Sequence, residues 1–180
     1  LVRLPIEPDG RAGPPEVLVR INVQGLAGVA VDHLGAVFFA AKLRKQGVIL
    51  KRLPGGRLVA FARGLKAPRG MAFEPEGHLL VAEDEAQPGR LLRFRAPPPP
   101  TVIAPGVTNQ SPVSVTGQAE PGSLVSAFRA DDFDTELTST AAGITAGFTL
   151  AIPLLSNSGN ALAITATGAK GFGLTGPAAE

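Results

Sequence analysis

The stretch Gly28-Val-Ala-Val-Asp-His-Leu-Gly-Ala-Val-Phe-Phe-Ala40 recurs without a gap, forty-two positions later, as Gly70-Met-Ala-Phe-Glu-Pro-Glu-Gly-His-Leu-Leu-Val-Ala82. With the same offset, Gly47-Val-Ile-Leu-Lys51 aligns with Gly89-Arg-Leu-Leu-Arg93. A period of about 40 residues is the length of a supersecondary unit of four strands. The sequence therefore predicts that the first half of the chain is a repeat array.

The residues within each repeat favour strands. Short apolar runs are separated by Gly, Pro and Asp clusters, and no stretch keeps the 3.6-residue apolar stripe of a helix. Asp32-His-Leu-Gly35 and Glu74-Pro-Glu-Gly77 are typical of tight hairpin turns, because an acidic side chain can bond back to the backbone and glycine accepts a positive φ. We therefore predict an all-β chain.

The charge of the chain changes at a run of prolines. Residues 1–95 hold 15 Lys and Arg against 9 Asp and Glu, whereas residues 96–180 hold 2 against 6. Ala96-Pro-Pro-Pro-Pro100 favours an extended, semi-rigid spacer, because consecutive prolines lock φ and remove amide donors. The sequence thus predicts two units, at residues 1–95 and 105–180, joined by a proline-rich linker at 96–104.

Several classes of protein are excluded or left open by composition. The 180 residues include no cysteine, so the chain has neither a disulfide framework nor a thiolate metal site. No apolar run approaches the roughly 18 residues of a membrane span, and no signal segment is visible. Because the chain opens with Leu1-Val-Arg-Leu-Pro5 and lacks an initiator Met, we expect a piece of a longer protein, with further repeat units upstream.

The first half resembles the NHL and gluconolactonase-like group of six-bladed β-propellers. The matching positions are Pro68, Gly70, Ala72, Phe73, Gly77, Leu79, Val81, Ala82, Gly89, Leu91 and Phe94. Leu1-Val-Arg-Leu-Pro5 is similar to the third strand of a preceding blade. The resemblance implies a partial propeller of about two and a half blades over residues 1–95: one partial blade, one complete blade and one that lacks its outer strand.

The second half resembles a bacterial immunoglobulin-like module, on the segments Val107–Val125, Gly147–Leu155 and Asn160–Thr167. Alternating apolar residues in these segments are typical of sandwich strands with one buried face. The resemblance implies an Ig-like β-sandwich over residues 105–180. Gly168 stands where such modules often have Asp, so a calcium role of that Asp is not carried over to this chain.

Two acidic segments could bind a metal ion. Glu83, Asp84 and Glu85 follow a strand at the place where gluconolactonase-like enzymes present metal-binding carboxylates, but the preceding repeat has Ala41-Lys-Leu43 there. Asp131-Asp-Phe-Asp-Thr-Glu136 offers oxygen ligands for calcium, yet the sharp-turn glycine of a calcium loop is missing. For both segments we favour solvated loops and leave metal binding open.

Other motifs have simpler interpretations. Gly171-Phe-Gly-Leu-Thr-Gly176 has dinucleotide-binding spacing, but no helix follows it, so we interpret it as a glycine-rich turn. His33 and His78 are turn residues that are not equivalent in the repeat, and we expect both on the surface. The sequon Asn109-Gln-Ser111 is attributed to chance, because Pro112 follows and the module resembles bacterial ones.

The basic residues of the first half could in principle bind a polyanion. We interpret them as scattered solubilising charge, because the chain has neither Trp nor Tyr for base stacking, and specific nucleic-acid binding is not expected. These residues are Lys42, Arg44, Lys45, Lys51, Arg52, Arg57, Arg63, Lys66 and Arg69.

No catalytic residue, metal ligand or cofactor is assigned from the sequence, and two functions remain. The favoured one is a non-catalytic binding or display protein, secreted or on a bacterial cell surface, whose propeller presents a recognition face to an unknown protein or glycan and whose Ig-like module is a spacer or adhesion module. The alternative is part of a metal-dependent lactonase-type hydrolase, with Glu83 or Asp84 in its site.

Overall fold

The computed structural model describes residues 1–84, 88–168 and 173–179, and in these ranges the chain contains strands, turns and loops but no helix. The prediction of an all-β chain is confirmed. None of the described residues belongs to a helix long and apolar enough to cross a membrane. Glycine and proline residues recur at intervals of a few residues in the sequence, and they keep the strands short.

Fifteen strands are present in the described ranges, nine in the first half and six in the second. The first nine are β1 (Val2–Arg3), β2 (Glu16–Val17), β3 (Leu26–Val31), β4 (Val37–Leu43), β5 (Gln46–Arg52), β6 (Leu58–Leu65), β7 (Pro68–Phe73), β8 (Leu79–Glu83) and β9 (Arg90–Phe94). The others are β10 (Thr101–Ile103), β11 (Val113–Gln118), β12 (Leu124–Arg129), β13 (Asp132–Ala141), β14 (Gly147–Ile152) and β15 (Leu162–Thr167).

The first half forms three small antiparallel sheets. Strands β1 and β2 pair with each other, β3 to β6 form a four-stranded meander, and β7 to β9 form a three-stranded meander. The offset of 42 residues is preserved in the strand register: Val29 pairs with Phe39 as Met71 pairs with Val81. Equivalent residues of the two repeats therefore occupy equivalent places in their sheets.

The predicted hairpin turns are confirmed in both meanders. The Gly35 amide donates to the Asp32 carbonyl at 3.0 Å, and the Gly77 amide donates to the Glu74 carbonyl at 2.9 Å. Both glycines have positive φ, +78° and +79°, which a side chain would disfavour. The positive φ thus accounts for the glycine in both turns.

Phenylalanine side chains fill the interface between the two meanders. The Phe38 ring contacts Phe61 of its own sheet and Phe73 of the next sheet in edge-to-face geometry, with centroids 5.3 and 5.2 Å apart. Phe61 also contacts Phe94, at 5.3 Å. Buried Ile49, together with other aliphatic residues of both sheets, completes this cluster. The two repeats therefore share one apolar core.

The opposite face of the four-stranded sheet packs against the N-terminal segment. Phe39 and Leu50 are buried there. They are covered by apolar residues that precede β3, namely Leu1, Val19, Ile21 and Val23. Val29 and Val31 remain 47% and 54% exposed, whereas their repeat equivalents, Met71 and Phe73, pack into the shared core. Equivalent positions of the two repeats are therefore covered to different extents.

The second half consists of two three-stranded sheets, ordered β10-β11-β14 and β13-β12-β15. Apolar side chains from both sheets form one core, which includes Val115, Leu150, Val125 and Ile164. Residues Thr101–Ile103, which fall within the predicted linker, instead form β10 and pair with β11. The alternating apolar pattern thus corresponds to strands that bury one face each.

The two halves are in direct contact. Leu174, from the C-terminal segment, is buried in the apolar cluster of the first half beside Phe38 and Leu79. A Cβ added at Gly77 would overlap the Thr175 carbonyl oxygen, and one added at Gly176 would overlap Pro97. The proline segment therefore connects halves that touch closely, backbone against backbone.

The packing between the two meanders is tested by a pair of equivalent glycines. A Cβ at Gly28 would overlap the Arg69 carbonyl oxygen of the neighbouring sheet, whereas a Cβ at Gly70 would meet only Ala82, at 4.0 Å. We expect Gly28→Ala to lower the free energy of unfolding by about 1–3 kcal/mol and Gly70→Ala to change it by less than about 0.5 kcal/mol, measured by urea denaturation. Equal effects of the two substitutions would contradict this packing.

Candidate functional site

Two buried side chains of opposite charge lie where the two halves meet. Asp32, in the turn between β3 and β4, is 6% exposed, and Lys51, on β5, is 2% exposed. The Lys51 Nζ donates to the Gly173 carbonyl oxygen at 2.7 Å and lies 5.2 Å from the centroid of the Phe38 ring. A first-half ammonium group thus holds the backbone of the C-terminal segment.

Only one of the two carboxylate oxygens of Asp32 has hydrogen-bond partners among the described residues. Its Oδ1 accepts the amides of Leu34 and Ala36, at 3.1 and 2.8 Å, which fixes the hairpin turn. Its Oδ2 is buried and has no hydrogen-bond partner among the described residues. An unpaired buried oxygen of this kind costs free energy, and such sites are often functional.

Burial and mutual attraction act in opposite directions on this pair. Burial raises the pKa of Asp32, while the Lys51 charge and the amide of Ala36 lower it. Burial lowers the pKa of Lys51, and the Asp32 charge raises it. Burial is the larger effect for both groups, so the pKa of Asp32 is raised and the pKa of Lys51 is lowered, and their mutual attraction limits both shifts.

A cavity of about 350 Å³ adjoins the pair. It lies between the turns of the four-stranded sheet and the sheet of β12, β13 and β15. Its wall includes Asp32, Lys51, Ser126, Phe128, Phe133 and Thr167. Cavities of this size at the junction of two packed units are common places for small ligands.

A second cleft, of about 710 Å³, lies in the β-sandwich. It is bordered by residues 104–111 and 154–160 and reaches the apolar residues Val113 and Ile164 of the two sheets. Among the described residues that line it, none is Asp, Glu, His, Lys or Arg, and the polar ones are amides and hydroxyls such as Thr108, Asn109 and Asn157. These described residues provide no side chain suited to general acid–base catalysis.

Side-chain hydrogen bonds fix the loops of this cleft. Ser111 Oγ accepts the Leu154 amide at 3.0 Å, which ties the two loops together. Asn160 accepts the Leu155 amide at 2.8 Å and donates to the carbonyl oxygens of Leu155 and Ser158. The cleft is therefore preorganised, which lowers the entropic cost of binding a ligand.

Glu83 is part of the scaffold, and the expectation of a solvated loop is wrong for it. Its side chain is 2% exposed. Oε1 accepts a hydrogen bond from the Lys66 amide at 2.6 Å, and Oε2 accepts hydrogen bonds from both Nε and Nη2 of Arg90. Burial raises its pKa, but these hydrogen bonds and charges outweigh burial and lower the pKa overall. Both carboxylate oxygens are thus engaged in holding β8 to its neighbours.

The neighbouring acidic residues have different positions. Asp84 is largely exposed and pairs with Arg69 at 3.5 Å, while Glu85 lies outside the described residues. In the segment 131–136, the pKa of Asp132 is lowered by hydrogen bonds from the Thr135 side chain and from the Asp134 amide. No group of three or more His, Cys, Asp or Glu residues suited to hold a metal ion occurs in the described parts of the chain.

Of the two histidines, only His33 is exposed, as expected for a turn residue. His78 is half-buried, and its Nδ1 accepts the Ala96 amide at 2.9 Å, which anchors the start of the proline segment. This role did not follow from the sequence. Of the glycine-rich motif 171–176, residues 171 and 172 lie outside the described ranges.

The pairing of Asp32 with Lys51 was not predicted from the sequence. Asp32 was expected only to form a turn, and the interpretation of Lys51 as a solubilising charge is wrong, because Lys51 is buried. The repeat carried a usable signal, because the equivalent residues 42 positions later, Glu74 and Arg93, form an ion pair at 2.6 Å. An acid in the turn and a cation on the third strand thus recur in both units, as an ion pair in the second unit and as a charge interaction without direct contact in the first.

The chain was compared with known proteins. Neither the family models nor the curated proteins give a match.

The two pairs offer a matched test of burial. We expect Lys51→Met to lower the free energy of unfolding by about 3–5 kcal/mol, because it leaves the Asp32 charge buried without compensation. Arg93→Met, at the equivalent position of the exposed pair, should cost no more than about 1 kcal/mol. Urea denaturation at neutral pH measures both, and similar losses in the two variants would refute the burial argument.

The deficit of Lys51→Met relative to the native chain should depend on pH. Without Lys51, the pKa of Asp32 rises further, so folding of the variant favours the protonated carboxyl. Stability then falls as the pH rises from about 4 through the folded pKa. The deficit should therefore be smallest near pH 4 and reach a plateau once Asp32 is ionised. A deficit that does not change with pH would show that Asp32 is not the group left unpaired.

Proposed function

We propose that the chain is a non-catalytic binding and display protein of the secreted or cell-surface kind. Its repeat units belong to a propeller-type array that presents a recognition face, and its β-sandwich is an Ig-like spacer or adhesion module. The ligand is a protein or a glycan. The uncharged, preorganised cleft of the sandwich carries this proposal.

The chemistry of the cleft favours recognition over catalysis. Its described lining residues combine amide and hydroxyl groups with aliphatic side chains and include no acid, base or histidine. Such a surface suits a neutral polar ligand, because hydrogen-bonding groups give orientation and apolar groups give contact area. Val107, 94% exposed at the edge of the cleft, is available for such a contact.

The strand arrangement supports the assignment of the two modules. Antiparallel meanders repeated in register and packed face to face suit neighbouring propeller blades. Two facing sheets with a shared apolar core suit an Ig-like sandwich. The combination is one that we associate with exported bacterial proteins of modular design.

The contacts of Glu83 and Asp84 do not favour the lactonase alternative. Glu83, the better placed of the two residues, already uses both carboxylate oxygens for Lys66 and Arg90. Asp84 is exposed and paired with Arg69. Glu83 therefore has no carboxylate oxygen left for a metal ion, and Asp84 is engaged with Arg69 through Oδ2.

The proposal is tested by screening the purified chain on a glycan array and against a displayed library of extended peptides. The hits are then measured with two variants that add a charge at equally exposed aliphatic residues. Val107→Asp places the charge in the cleft, and Ile144→Asp places it on a loop outside the cleft lining. We expect Val107→Asp to weaken binding by at least about tenfold and Ile144→Asp to leave it unchanged.

Three results would contradict this function. The first is the absence of any saturable binding in both screens, and the second is binding that Val107→Asp leaves intact. The third is turnover of ester or lactone substrates by the purified chain, because a non-catalytic protein gives none above the buffer rate.

A further inference from the structure

The cavity between the two halves is partly open to solvent, and its mainly apolar wall includes several buried polar side chains. Five polar side chains on it are more than nine-tenths buried: Asp32, Lys51, Ser126, Thr167 and Thr175. Buried polar groups cost free energy unless they are hydrogen-bonded. A wall that concentrates them around about 350 Å³ of space is therefore suited to a ligand that completes their hydrogen bonds.

These side chains retain hydrogen-bonding capacity. Among the described residues, Lys51 uses one of its ammonium donors, for Gly173, and the hydroxyls of Thr167 and Thr175 bond only to each other, at 2.9 Å. The Ser126 hydroxyl makes no hydrogen bond to those residues. Donors and acceptors are thus both available on the same wall, since a hydroxyl can act as either.

The charges around the cavity favour a neutral ligand. Its buried lining holds one acidic group, Asp32, and one basic group, Lys51, whose formal charges cancel, so the interior attracts neither an anion nor a cation. Two further lining carboxylates, Asp134 and Glu136, are on exposed residues in contact with water, and Glu136 already accepts the Ser139 hydroxyl at 2.8 Å. The interior therefore suits a molecule that carries hydrogen-bonding groups without charge.

An apolar surface stands opposite the polar groups. The rings of Phe128 and Phe133 both line the cavity, with centroids 5.7 Å apart, and Leu34 and Leu53 add aliphatic surface. A ring of C–H groups packs well on such a surface, because the aromatic faces carry partial negative charge. Polar and apolar walls together match a molecule with hydroxyls on its rim and C–H groups on its faces.

We propose that this cavity binds a single saccharide unit, held by its hydroxyl groups at Ser126, Thr167 and Lys51 and packed on Phe133. The site is separate from the cleft of the sandwich, and so it goes beyond the function proposed above. Because its wall comes from both halves, saccharide binding also stabilises the contact between them.

The experiment uses the full chain and four probes: D-glucose, D-galactose, D-mannose and N-acetyl-D-glucosamine. Saturation-transfer NMR detects binding, and titration calorimetry measures it. We expect at least one probe to bind with a Kd of about 0.1–10 mM, a range appropriate to a small neutral ligand. Ser126→Ala and Phe133→Leu should each weaken that binding by about three- to tenfold.

Two control variants distinguish binding in this cavity from binding elsewhere on the chain. Ser114→Ala, on an exposed position of β11, and Ile144→Asp, on a loop outside both linings, should leave the Kd unchanged, whereas loss of binding in Val107→Asp would place the binding in the sandwich cleft. Urea denaturation verifies that every variant is folded before its Kd is compared. Three outcomes would overturn the proposal: no saturable binding of any of the four probes, unchanged affinity in both Ser126→Ala and Phe133→Leu, or loss of binding in Val107→Asp.

Discussion

The packing of Phe38 is the interaction on which the rest of this structure depends. Its ring makes edge-to-face contacts with Phe61 and Phe73, which join the two meanders, and it lies beneath the Lys51 ammonium. Leu174 of the second half belongs to the same cluster. A single buried ring thus contacts both repeats and a buried charge, within a cluster that also includes the C-terminal segment. Small sheets such as these expose too much apolar surface to be stable in isolation. The shared core therefore stabilises them together.

The turn of Asp32 and the contact of Lys51 with the C-terminal segment explain why charged groups are buried at this apolar junction. Asp32 is needed in its turn because its Oδ1 caps two amides, and once the two halves pack together its second oxygen is shut away from water. Lys51 offsets that cost electrostatically and, by donating to Gly173, also fixes the C-terminal segment. The same pair of positions in the next repeat, Glu74 and Arg93, stays more exposed and forms an ordinary ion pair. Identical positions in the repeat therefore acquire different roles from what covers them.

The candidate sites were only partly predictable, and particular residues show why. The turn role of Asp32 followed from its spacing to Gly35, because turn chemistry is local. The burial of Lys51 and Glu83 did not follow, because a lysine on a strand or an acid at a strand end is typical of a solvated surface until a distant segment covers it. The cleft of the sandwich could not be foreseen because amides and hydroxyls in loops, such as Asn109 and Asn157, form no motif until two loops meet.

By itself, the sequence determined the local structure: strands rather than helices, hairpins at Asp32–Gly35 and Glu74–Gly77, and a period of 42 residues that the strand register preserves. These follow from steric preferences and apolar spacing within a few residues. Tertiary structure alone decided that the halves share a core through Leu174, that β10 joins the second half, and that a polar cavity lies at the junction. Such features depend on which surfaces exclude water from each other, and that is set by contacts between residues far apart in the chain.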